Sequence, residues 1–127
     1  MKVIHQPTPF SCMACVAAMI TNEPLEEVFD AIGHDGSQHH FRFLDIAAFL
    51  NRRGFHLGLL APKISLFPRL FVRRYPALLI VESPTPNNHA VYWTGSVVLD
   101  PSSKGGIKPL SNYQVLQWWP VFKMEDK

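Results

Sequence analysis

Between Ser11 and Ile20 the chain reads Ser-Cys-Met-Ala-Cys-Val-Ala-Ala-Met-Ile, with no charge anywhere in the run. Its Ala and Met content suits a helix, and a helix apolar on most sides has to be buried. The remainder of the chain must therefore pack around it. Ahead of it lies Gln6-Pro7-Thr8-Pro9-Phe10, where two prolines stiffen the approach and Ser11 is placed to act as N-cap. A first helix is predicted from about Ser11 to Ile20.

The elements that follow change period partway along. Thr21-Asn22-Glu23-Pro24 breaks the chain and restarts it, with Pro24 suited to a first helical turn. Leu25, Val28, Phe29 and Ile32 then recur at the spacing of an amphipathic helix that Gly33 ends. Gly33 to His40 reads as a loop and Phe43 to Arg53 as a third helix, stopped by Gly54. Phe55 to Leu60 is predicted as a short strand and Ala61-Pro62-Lys63 as a connector. Ile64 to Arg74, interrupted by Pro68, is predicted as a short helix or turn followed by extended chain.

Ala77 to Val81 is a continuous apolar run, the pattern of a buried central strand. After a rigid loop from Ser83 to Asn88, His89–Thr94 and Val97–Leu99 form two strands, joined through Gly95-Ser96 in a type II′ turn. Asp100 to Lys108 reads as a Ser/Gly loop, Ser111 as the cap of a short helix reaching Gln117, and Trp119–Met124 as a last strand. Helices first and antiparallel strands afterwards give an α+β fold, with N-terminal helices packed on a small antiparallel sheet.

A chain of 127 residues suits a single domain, 1–127, with a genuine core. With 47% hydrophobic and 17% charged residues it is compact, and a net charge of +2 points to neither nucleic acid nor an anionic membrane as partner. Arg52-Arg53 and Arg69 with Arg73-Arg74 read as a solvated helix end and a solvated strand edge. Met1 to Pro7 lacks the apolar stretch of a signal peptide, and no run is long enough to span a bilayer. The expected location is therefore the cytoplasm, with both cysteines reduced.

Reactive groups cluster around the first helix. The unpaired N–H groups of a helix N-terminus stabilise a thiolate, which makes Cys12 a candidate nucleophile. Gln6, six residues upstream, can aim an amide at the same centre. Downstream, His89 and Asp100 supply an imidazole and a carboxylate on or beside predicted strands. Nucleophile, base, orienting acid and oxyanion donor form a complete set for acyl transfer. Each has a plainer reading: a strand histidine for His89, a turn cap before Pro101 for Asp100, and an ordinary polar side chain for Gln6. Cys15, one turn further in, reads as inert core. Cys12-x-x-Cys15 also has redox and zinc spacing. The βαβ surroundings of a thioredoxin-like motif are missing, however, and a zinc site would have to draw on His34, His39 and His40, which read more simply as a solvated loop. Tyr92, Trp93, Trp118 and Trp119 read as core or hairpin-facing aromatics, part of which line a cleft.

Gln6, then Cys12-x-x-Cys15 opening a helix, then His89-x-Val91 on a strand and Asp100-Pro101, resemble the papain-like cysteine peptidases. The resemblance is to the group that removes double-glycine leaders from bacteriocin precursors and its stand-alone relatives, and it is strongest over residues 6–20 and 88–120. It implies Cys12 as nucleophile, His89 as general base, Asp100 as the residue that orients it and Gln6 as the oxyanion-hole glutamine. Where the family usually carries Gly after the nucleophile, this chain has Met13, and the interval from His89 to Asp100 is short.

The resemblance implies hydrolysis of a peptide or isopeptide bond through a thioester, with no metal or organic cofactor and with small residues at the cleavage site as a first trial. Met13 favours a competing reading, a catalytically weak papain-like module that binds a peptide or protein partner, including within a larger assembly. Acyl transfer to an acceptor other than water would use the same residues.

Overall fold

The computed structural model describes residues 2–58, 75–84, 88–102 and 104–124. Helix α1 spans Cys12–Thr21, α2 Leu25–Ile32 and α3 Phe43–Arg52. Among the described residues six strands follow: β1 Phe55–Leu57, β2 Ala77–Val81, β3 His89–Trp93, β4 Val98–Asp100, β5 Gly106–Lys108 and β6 Val115–Lys123, with a 3-10 turn at Leu110–Asn112. They form one antiparallel sheet in the order β1-β6-β2-β3-β4-β5. This is the expected α+β arrangement.

Helix α1 is buried as its composition requires. Ala14, Cys15, Val16, Ala17 and Ala18 have no solvent exposure, and Ala14, Val16, Ala17 and Ala18 share a core with Ile46, Phe49 and Leu50 of α3, Val28 of α2, and Leu78, Ala90 and Val121 of the sheet. The small alanines let helix and sheet approach closely, while each buried Val or Leu contributes about 2 kcal/mol. Asn22 closes α1 in the left-handed region (φ 57°), its N–H donating to Ala18 O. Gly33 does the same for α2 at φ 99°. The opposite sheet face has its own core: Ala77, Leu79, Val81, Val91, Trp93, Val98, Leu110 and Trp118. Trp93 and Trp118 belong to this second core, whereas Tyr92 and Trp119 lie half-buried against the first.

Several expectations are corrected. Ser11 occupies the N-cap position but makes no side-chain cap bond; its hydroxyl turns back to donate to Thr8 O at 3.0 Å. Val115–Gln117 is strand rather than helix, because β2 offers a full antiparallel partner: Ile80 faces Gln117 and Val81 faces Val115 across a bulge. Gly106–Lys108, read as loop, pairs with β4 as an edge strand. The Gly95 turn takes the expected positive φ (104°). Thr94 N–H donates to Val97 O at 3.0 Å, and the Val97 N–H goes to Thr94 Oγ1 at 3.2 Å. The strand from Phe55 ends at Leu57 among the described residues, and the readings made for 59–74 lie outside them. Arg53 pairs with Glu23 at 2.8 Å and lies over the Phe49 ring.

Pro120 interrupts β6 without breaking it. It stands where the strand passes from its β2 partners to β1, and its carbonyl still accepts Gly58 N–H at 2.7 Å.

Candidate active site

The first turn of α1, the start of β3 and the end of β4 converge on one cleft of about 700 Å³. Gln6, Cys12, His89 and Asp100 all line it, so every residue singled out as catalytic in the sequence meets the others in space. A larger groove, about 1090 Å³, lies against α2 and the C-terminal part of α1, and neither Cys12 nor His89 lines it. The four candidate residues share the smaller cavity.

His89 stands at the first residue of β3. Its Nε2 meets Asp100 Oδ1 at 2.7 Å, which leaves Nδ1 as the ring nitrogen for the Cys12 thiol. Burial opposes a charge on the ring. Hydrogen bonding to Asp100 and Cys12, and their negative charge, outweigh it and raise His89 to about 9. The direction of the shift favours the imidazolium form.

Asp100 is more heavily supported than its sequence context suggests. Oδ1 also accepts the Ser102 N–H at 2.9 Å, and Oδ2 accepts the Tyr113 hydroxyl at 2.6 Å. Burial raises the carboxyl, but the bonds from His89, Tyr113 and Ser102 prevail and hold it far below the usual carboxylate range. Tyr113 is raised in turn, first by burial and then by its bond to Asp100. The loop after β4 closes tightly over this carboxylate. A Cβ at Gly105 would come within 2.5 Å of Asp100 O and 2.8 Å of Asp100 Cγ, so only glycine fits.

The same loop anchors the other half of the site. Gln6 N–H donates to Pro101 O at 2.7 Å, and His5 Nδ1 to Ser102 O at 3.0 Å. Gln6 Nε2 donates one hydrogen to Thr8 O at 3.0 Å, which fixes the amide plane and leaves its second N–H without a partner among the described residues. Thr8 Oγ1 donates to Gly36 O at 2.7 Å and so ties the approach segment to the loop before α3.

Cys12 is buried at 6% exposure and Cys15 completely, and both are free thiols. Cys15 is pushed up to about 12, by burial and then by the neighbouring Cys12, as befits an inert core thiol. Met13 is half-buried against the core and lines a second groove of about 360 Å³ with Cys12, Phe43, Ile80 and Ala90. Among the described residues no group of three or more His, Cys, Asp or Glu side chains is set to hold a metal, and no helix is long and apolar enough to cross a membrane.

Tyr113, the Ser102 amide and His40 were not recognised as site residues in the sequence. Tyr113 falls in a segment read as helix, and only the antiparallel geometry brings it to Asp100. His40 was noticed solely as one of three loop histidines.

No family model and no curated protein sequence matches the chain. Solved structures match its fold closely. A double glycine motif protease from an AMS/PCAT transporter, crystallised in complex with the leader peptide, aligns over 97% of this chain and 91% of its own, with a TM-score of 0.70 and 17% identity. The peptidase domain of Streptococcus ComA, a bi-functional ABC transporter involved in a quorum sensing pathway, aligns over 98% of both chains with a TM-score of 0.71 and 14% identity. The fold is that of the papain-like, double-glycine peptidase domains.

Proposed function

We propose that this chain is a cysteine peptidase that hydrolyses a peptide or isopeptide bond through Cys12, His89 and Asp100. One observation carries the reading: His89 bridges Cys12 and a carboxylate held by three donors, inside a cleft on the nucleophile-bearing helix end. The fold shared with double-glycine peptidase domains supports it.

In this mechanism Cys12 and His89 form a thiolate–imidazolium pair, with the α1 N-terminus favouring the negative sulfur. The thiolate attacks the scissile carbonyl. The oxyanion is stabilised by the Cys12 backbone N–H and the free N–H of Gln6, and losing such a donor costs on the order of 3 kcal/mol of transition-state stabilisation. The imidazolium gives its proton to the departing amine, leaving a thioester. Neutral His89 then takes a proton from water, the hydroxide attacks the thioester carbonyl and releases the acyl group as the acid, and the thiolate–imidazolium pair is regenerated. Asp100 fixes the ring tautomer throughout, and Tyr113 and Ser102 fix Asp100.

The substrate is a peptide with small residues at the cleavage site, and the neighbour solved with a leader peptide makes a Gly-Gly sequence the first to try. The test is turnover of peptides containing an internal Gly-Gly by wild type and Cys12→Ala, read by mass spectrometry. Cleavage that vanishes with Cys12 supports the proposal. Binding of the same peptides without any cleavage, in wild type and variant alike, would identify a peptide-binding module instead, the reading that Met13 favours.

A further inference from the structure

The loop between α2 and α3 carries three imidazoles, and two are occupied within the loop. His34 stacks on Phe41 at 3.9 Å, lies 4.6 Å from the His39 ring, and accepts the Gly36 N–H at 3.2 Å. His39 Nδ1 donates to the carbonyl of His40 at 3.1 Å. His40 is different. Its ring leaves the loop cluster and lines both cavities that meet at Cys12. Phe10 holds it edge-on at 4.8 Å.

Its Nε2 is buried and has no hydrogen-bond partner among the described residues. Among the described residues only four buried side-chain atoms are orphaned in this way, and two of them, Gln6 Oε1 and His40 Nε2, belong to residues that line the same cleft. A buried polar atom without a partner is destabilising, and such atoms call for an explanation. The backbone of the loop is packed tightly at Gly36. Gly36 (φ 72°) sits so tightly that an added Cβ would lie 3.0 Å from Phe41 and 3.2 Å from Ser11 Cβ, and its carbonyl is latched by Thr8.

We infer that His40 is a substrate-contacting residue, its Nε2 hydrogen bonding a backbone amide of the peptide bound beside Cys12. This rests on the peptidase reading and deepens it by naming a second imidazole in the cleft. A peptide unit carries one donor and one acceptor, so it satisfies either tautomer of the ring. Nε2 is covered in the free protein while the residue itself lines the cleft, so a turn of the ring toward a bound peptide gives this nitrogen its first partner. His40 approaches from the helical wall and His89 from the sheet, and a chain lying over Cys12 passes between them.

The test compares two alkylating probes of Cys12: iodoacetamide, which has no peptide backbone to align, and a peptidyl chloromethyl ketone ending in Gly-Gly. Wild type should react faster with the peptidyl probe. His40→Phe keeps the ring shape and removes the hydrogen bond. It should slow the peptidyl probe by about tenfold while leaving the iodoacetamide rate within about twofold. His40→Gln, which keeps polar atoms at the tip, should recover most of the loss. Should His40→Phe not fold, His40→Leu carries the same comparison.

An unchanged peptidyl rate in His40→Phe overturns the inference. So does an equal loss with both probes, which would place His40 in the support of the thiol itself, and so does a loss that His40→Gln leaves unrepaired. Wild type that shows no preference for the peptidyl probe defeats the peptidase reading as well. That outcome is told apart from the others because it needs no variant.

Discussion

The hydroxyl of Tyr113 donates to Asp100 Oδ2 at 2.6 Å, on the carboxylate oxygen opposite the one that His89 holds. The acid that orients the imidazole is thus clamped from both sides, by β3 and by the segment leading into β6. Tyr113→Phe removes one clamp without changing ring volume. A hydrogen bond to a charged group is worth about 1.5–3 kcal/mol, so peptidase activity should fall roughly tenfold or more. The Asp100 carboxyl should titrate higher than in wild type, read by carbon NMR.

His89 should titrate near 9 in the folded protein, followed by its ring proton resonances. Asp100→Asn removes the charge that sustains the imidazolium and leaves burial, which favours the neutral ring, so the midpoint should drop. The sign for stability follows. His89 is raised on folding, so its contribution is complete below its ordinary 6.5 and is lost as pH rises through about 9. Asp100 is lowered, so its contribution is present above its ordinary 3.8 and disappears as pH falls toward the folded value. Urea midpoints measured against pH should show a plateau between these limits, and His89→Ala should remove the alkaline decline.

Gln6→Ala should reduce kcat by a factor on the order of 100, the effect of deleting one oxyanion donor. The rate at which iodoacetamide alkylates Cys12 should change little, since that reaction develops no tetrahedral oxyanion. Equal loss in both assays would show Gln6 supporting the thiol or the fold instead.

Cys15 should resist alkylation at pH 8 while Cys12 reacts. With its thiol at about 12, only about one molecule in ten thousand carries the Cys15 thiolate at that pH. Cys15→Ala should retain activity at a modest cost in stability. Cys15→Ser should lower stability more, by about 1–3 kcal/mol, because a hydroxyl would be buried among apolar neighbours.

Gly36→Ala and Gly33→Ala separate backbone strain from crowding. Both positions have positive φ, at 72° and 99°, but a Cβ meets nothing within 4 Å at Gly33 and is crowded by Phe41 and Ser11 at Gly36. Each substitution should cost about 1–2 kcal/mol in strain, with a further loss only at Gly36. Paired urea denaturation curves measure the difference.

Local chemistry made much of this molecule readable in advance. The uncharged run after Ser11, the helical spacing from Leu25 to Ile32 and the apolar block Ala77–Val81 each dictate one element, and each forms there. Elements defined by pairing were not readable in this way. Gly106–Lys108 has no strand character of its own and is a strand because Val98–Asp100 offers an edge. Val115–Gln117 is extended because β2 lies beside it. The same distinction holds in the cleft. Gln6 and Cys12 are close in sequence and were recognised by spacing, whereas Tyr113 and His40 reach the site through tertiary geometry that no local pattern encodes.

Val121 of β6 shares a core with α1, so the burial of the helix that bears Cys12 waits for a strand near the other end of the described chain. Helix α1 is local and forms quickly, but the surfaces that bury it, at Leu78, Ala90 and Val121, come from far along the chain. Such high contact order slows folding, because long loops must close before their contacts repay the entropy. On the ribosome, the helix bearing Cys12 emerges well before His89, Asp100 and Tyr113. A nascent chain therefore displays the Cys12 thiol before the imidazole that lies beside it in the folded protein has been made.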